Sequence, residues 1–120
     1  MNLKSLLSVF SNHHNMKVEI LNLDKDLMRQ HPRLNMGAFG FLFDLEVVNV
    51  NFYMNCLSII VDPNRVSDRI IKEFTYLDLL KVFNEDTQFI FKTNDLKFLN
   101  SKVSGINCYD EFCLEVILHQ

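Results

Sequence analysis

An α+β fold, built as a single compact domain with a mostly antiparallel sheet of about five strands packed by two or three helices, is predicted by three features of this 120-residue chain. A helix-spaced apolar stripe opens it, a long β-branched and aromatic run crosses its middle, and short segments of period-two alternation close it. The length fits one unit over residues 1–120, because domains usually run to roughly 100–150 residues. A chain of this size buries about 60–70% of the surface it exposes when unfolded, enough for one core without metal or disulfide staples. Three Gly, two Pro and no detectable repeat leave no linker at which to divide it.

The elements follow in order. Leu3, Leu6, Leu7 and Phe10 fall at i, i+3, i+4 and i+7, on one face of a helix that the polar residues 11–15 end. Met16, Val18 and Ile20 alternate with Lys17 and Glu19, the mark of a half-buried strand. Asp24 is placed to cap a short helical turn through Leu27, Met28 and Arg29, stopped by Pro32. The run 39–61 carries Gly40 near its start and no proline. As one strand it would span about 75 Å at ~3.3 Å per residue, so it must fold back or bend. Phe41, Phe43, Leu45 and Val47 share one parity, and Val48, Val50, Phe52, Met54 and Cys56 the other. This change of parity predicts a turn or bulge near Asn49 between two antiparallel strands. Ile59, Ile60 and Val61 then form a buried end before a turn at Asp62, Pro63 and Asn64.

Residues 66–74 suit either state: Val66, Ile70 and Phe74 are helix-spaced, whereas "RIIKEF" also reads as a strand. Thr75 and Asp78 have the spacing of a capping box, which predicts a helix from Tyr76 to about Asn84. Phe89 and Phe91 alternate in a short strand, and Thr93 or Asn94 starts a helical turn carrying Leu96 and Leu99. Strands near residues 103–109 and 112–118 close the chain.

That closing segment, "CYDEFCLEVILH", looks chemical. On a strand, however, Phe112, Leu114, Val116 and Leu118 share an apolar, core-directed face, with Glu111, Cys113, Glu115, Ile117 and His119 on the other. Glu111 and His119 would stand about 27 Å apart at ~3.4 Å per residue and cannot share an ion. Zinc wants about four ligands, and Cys108 and Cys113 have no second pair. No metal site and no cofactor is expected. His13 and His14 read as the end of the first helix, and His31 has no partner visible in the sequence.

For catalysis, Cys56 or Cys113 could be matched with a histidine, the pattern of a small cysteine-dependent enzyme. Against that, Cys56 lies in an alternating apolar strand, and there is no nucleophile elbow, phosphate loop or metalloprotease helix motif. The glycines of "MGAFGF" lack the lysine of a phosphate cradle. No catalytic residue is assigned, and the chain is expected not to be an enzyme. "QFIFKTNDLKF" sets Phe89, Phe91 and Phe98 near Lys92 and Lys97, but its phenylalanines alternate as core residues do, which argues against a nucleic-acid platform.

Net charge is −3, with twelve Lys+Arg spread rather than clustered. Residues 34–64 contain Asp44, Glu46 and Asp62 with no Lys or Arg, and residues 106–120 contain Asp110, Glu111 and Glu115 with none either. Three cysteines, an odd number, and the lack of a leader pattern or a ~20-residue apolar span point to free thiols in the cytoplasm, with no membrane partner. What remains is a protein-binding domain, by analogy of size and charge an inhibitor or immunity-type protein whose acidic face occludes the basic active site of a toxin or nuclease. Asp44, Glu46, Asp110, Glu111 and Glu115 would carry the electrostatics, with Tyr53 and Tyr109 as anchors, since tyrosine is enriched at interface hot spots. The rival within binding proteins is an accessory or homo-oligomeric subunit, a homodimer among the options, that uses an unpaired sheet edge.

Overall fold

Residues 1–10, 16–66, 75–90 and 95–119 are described by the structure, a computed structural model. Strands β1 (Lys17–Leu21), β2 (Leu27–His31), β3 (Leu45–Tyr53) and β4 (Cys56–Val66) form a four-stranded sheet in the order β2-β1-β4-β3. Strands β5 (Gln88–Phe89), β6 (Val103–Cys108) and β7 (Cys113–Leu118) form a three-stranded sheet in the order β5-β7-β6. Helices α1 (Leu3–Ser8), α2 (Tyr76–Val82) and α3 (Leu96–Leu99) complete a single compact α+β domain. Its radius of gyration is 13.4 Å, against roughly 13–14 Å for a folded chain of this length. Each sheet is mixed, with β1–β4 and β5–β7 parallel and the three hairpins antiparallel.

The first helix forms as its stripe predicts. Asn2 Oδ1 accepts from Ser5 N at 2.9 Å and caps it, and Leu3, Leu6, Leu7 and Phe10 are all buried. Val18 and Ile20 of β1 face the same core while Lys17 and Glu19 point away. The next expectation is overturned, since residues 27–31 are strand and not a helical turn. Asn22, not Asp24, organises the connection: its Oδ1 accepts from Asp24 N and Asp26 N, both at 2.9 Å, and Lys25 takes φ 65°. That left-handed residue reverses the chain and lays β2 back along β1.

The long central run does fold back, in a different place. Residues 36–42 (Met36–Leu42) form a 3₁₀ segment capped by Asn35, which buries Phe39 and Leu42 and leaves Phe41 out, so the parity shared by Phe41 and Phe43 is not a strand's. The irregularity near Asn49 is a bulge with Val48 as its extra residue, between the pairs Val47–Val61 and Asn49–Ile60. The reversal itself is at Met54 and Asn55, with φ 51° and 59°. Asp62, Pro63 and Asn64 continue β4 in extended form instead of turning. Pro63 is accommodated because β1 stops pairing at Ile60 and the β3 register breaks between Leu45 and Glu46, so its missing N–H is not needed.

Residues 67–74, with the two alternatives for that segment, lie outside the described residues, as do His13, His14, Phe91, Lys92, Thr93 and Asn94. The capping box at α2 is formed: Asp78 N donates to Thr75 Oγ1 at 3.2 Å and Thr75 N to Asp78 Oδ2 at 3.0 Å. At α3 the cap is Asp95, whose Oδ1 accepts from Lys97 N at 3.0 Å. On β7, Leu114 is buried and Val116 and Leu118 pack against the core, but Phe112 lies before the strand, in the turn, and is exposed.

Candidate partner-binding surface

Two turns meet at one end of the molecule. The first joins β3 to β4 through Met54 and Asn55, both in the left-handed region that two-residue hairpin turns demand. The second joins β6 to β7, where Asp110 Oδ1 accepts from Phe112 N and Cys113 N, both at 2.8 Å. Asn55 fastens one to the other: its N–H donates to Glu111 O at 2.7 Å while its carbonyl accepts from Lys17 N at 3.0 Å. The contact brings Tyr53 edge-on to Phe112, with ring centroids 5.3 Å apart.

The result is an apolar cluster in water. Tyr53 is 60% exposed, Met54 62%, Tyr109 67% and Phe112 40%. At roughly 150–250 Å² for a complete large side chain, the touching pair Tyr53 and Phe112 alone leaves roughly 150–250 Å² in water, with Met54 and Tyr109 exposed in the same two turns. Asp110 and Glu111 stand exposed in the same turn, so the cluster has an acidic rim.

The expected site residues therefore divide. Tyr53, Tyr109, Asp110 and Glu111 share this end of the molecule. Glu115 is exposed on β7, 3.5 Å from Asn107 Nδ2 across the ladder, on the flank of the same hairpin. Asp44 and Glu46 are at the opposite end of β3, roughly 25–30 Å away at ~3.3 Å per residue. Glu46 is half-buried and takes a 2.8 Å hydrogen bond from the Met1 amine, which cancels its charge locally. Asp44 is exposed but remote. Met54 and Phe112 belong to the cluster, although their spacing in the sequence places them on strand faces. The usable signal was "YMN" flanked by two alternating segments, in which Asn55 can hold a positive φ.

The thiols are poorly suited to nucleophilic work. Burial pushes the Cys108 thiol up to about 11, and its Sγ lies 3.5 Å from the buried Met16 Sδ. Burial also raises Cys56, opposed in part by a 3.8 Å contact with Ser58 Oγ, and raises Cys113, with the Asp110 carboxylate adding to the effect. A raised thiol holds less thiolate, the reactive form. Among the described residues no cysteine is hydrogen-bonded to a histidine, and no three His, Cys, Asp or Glu side chains converge as metal ligands. His31 is occupied by an edge-on contact with Phe39, ring centroids 6.5 Å apart, and by Arg33 O at 2.8 Å. Phe89 packs edge-on against Phe83 at 5.2 Å, a core role and not a base-stacking one. On the outward face of the four-stranded sheet a cavity of about 390 Å³ is lined by Asn49, Asn51, Asn84 and Ser58, whose hydroxyl already donates to Glu19 at 2.6 Å.

Among the described residues no helix is long and apolar enough to cross a membrane. Compared with known proteins, the chain matches no family model, no curated protein and no solved structure.

Proposed function

We propose that this chain is a protein-binding domain whose contact surface is the end formed by Tyr53, Met54, Tyr109 and Phe112, with Asp110 and Glu111 selecting a partner of basic surface. One observation carries the proposal: Met54 sits exposed in a left-handed conformation that glycine or asparagine would occupy more cheaply. The hairpin turn demands a positive φ at this position but not an exposed thioether, and strained positions concentrate where a molecule works. The aromatic neighbours supply rigid contact area at small entropic cost. The acidic rim supplies steering and rejection of acidic competitors. An inhibitor or immunity-type protein that covers the basic active site of a toxin or nuclease is the class these features suit, in the cytoplasm where free thiols persist.

The test uses the product of the adjacent gene, mixed with this protein at low salt and run on gel filtration. A complex is expected, and Tyr53→Ala should weaken it at least tenfold, as hot-spot truncation does, while Asp44→Asn at the far end leaves it unchanged. Absence of a complex, or equal losses from both substitutions, defeats the proposal.

A further inference from the structure

The four-stranded sheet has two edges, treated differently. The outer edge of β3 is covered: Phe83 bridges to Val50, Asn84 N donates to Val50 O at 2.7 Å, and Phe52 N donates to Thr87 Oγ1 at 3.4 Å. The outer edge of β2 pairs with no strand among the described residues. An open edge presents a row of main-chain donors and acceptors that an extended chain can complete.

Two side chains say what kind of chain. Arg29 projects from the middle of β2, its Nε donating to Ala38 O at 3.1 Å and its guanidinium carbon 5.9 Å from the centroid of the Phe41 ring. The terminal guanidinium nitrogens are left with N–H groups that a carboxylate can take in bidentate fashion. Phe41 is 72% exposed at the tip of the 3₁₀ segment beside this edge, an aromatic ring largely in water beside the Arg29 guanidinium. Arg33 adds a second exposed cation just past the strand.

We propose that the β2 edge docks an extended acidic segment of another protein as a fifth strand. A carboxylate of the segment sits on Arg29, and an apolar side chain two residues away, on the same face, rests on Phe41. Charge decides against a second copy as the occupant. Two-fold pairing of β2 about its middle residue sets Arg29 against Arg29, and like charges directly opposite are unfavourable. This edge is separate from the Tyr53–Phe112 cluster, so the two surfaces can be tested independently.

The probe is a nine-residue synthetic peptide, Thr-Glu-Thr-Val-Thr-Glu-Thr-Val-Thr, which sets glutamate and valine two residues apart on one strand face, followed by fluorescence anisotropy and by amide resonances of the intact protein. Binding is expected with shifts concentrated at residues 27–31. Affinity should fall severalfold between 50 and 300 mM salt. Arg29→Gln should weaken it about tenfold or more, and Phe41→Ser by a smaller factor. Tyr53→Ala should leave it unchanged. The proposal is overturned by no binding, by equal binding of a lysine-for-glutamate peptide, or by equal binding of a peptide N-methylated along its backbone. It is likewise overturned by resonance shifts confined to the Tyr53–Phe112 end, or by a protein dimer in sedimentation that Arg29→Gln strengthens.

Discussion

Replacing Met54 by glycine should make this protein more stable and a worse binder. Met54 has φ 51° and its side chain is largely in water, so the backbone conformation costs free energy that its packing does not return. A left-handed L-residue costs about 1–2 kcal/mol, and glycine removes that cost while adding about 0.5–1 kcal/mol of unfolded-chain entropy. The net gain is about 0.5–1 kcal/mol. With an unfolding entropy of about 2.1 cal/mol/K per residue, a 120-residue domain should then melt about 2–4 °C higher. Urea unfolding followed by circular dichroism gives the free energy directly, and a thermal scan gives the shift. Met54→Ala is the decisive control, because alanine keeps the β-carbon that clashes and loses only exposed side chain; its stability should stay within about 0.5 kcal/mol of the parent. If alanine stabilises as much as glycine, or glycine destabilises, the conformational account is wrong. Both variants should weaken the complex with the partner, since both delete the exposed thioether.

Three further outcomes are expected. Thr75→Ala removes one half of the capping box at α2 and should lower stability by about 1–2 kcal/mol, read from the urea midpoint. Ile59→Ala empties a fully buried position in the central strand β4 and should cost about 2–5 kcal/mol, read from the same urea midpoint. The Cys108 thiol, raised from its ordinary value near 9 to about 11, holds its proton in the folded state after the unfolded chain has lost it. Its contribution to stability is therefore complete below pH 9 and is lost as pH rises from about 9 to 11. Cys108→Ala should flatten that part of the profile, and alkylation of Cys108 in the folded protein at pH 8 should run about a hundredfold slower than for a free thiol. Alkylation at the free rate, or an unchanged profile in the variant, contradicts the burial.

Features written in local spacing were legible from the sequence. The leucine stripe of α1, the alternation of β1, the capping box at Thr75 and the two closing strands each depend on neighbours a few residues apart. The bulge at Asn49 was legible for the same reason, since a parity change is a local signal. Where several local signals compete, tertiary context decided. Asp24 was a reasonable helix cap, yet Asn22 two residues earlier could accept two amides and let Lys25 reverse the chain, giving an edge strand. Phe41 and Phe43 alternate like strand residues, but Asn35 caps the chain through Gly37 N and it coils into a 3₁₀ segment that buries Phe39 instead. Division into two sheets was not legible, because nothing local says that β7 takes β5 and β6 as neighbours. The same holds for the candidate surface. Tyr53 and Tyr109 were found by residue type, but their common location depends on the bond between Asn55 and Glu111, residues distant in the chain.

The residue that makes that bond has a mechanical consequence. Asn55 hands its N–H to one sheet's turn and its carbonyl to the first strand of the other, so it acts as a rivet between two plates. A partner that wedges Tyr53 away from Phe112 must pull on this rivet, and the strain would be shared by both plates at once. Slow exchange of the Asn55 amide would then serve as a gauge of the whole joint, tightening when a ligand clamps the seam and loosening when one prises it open.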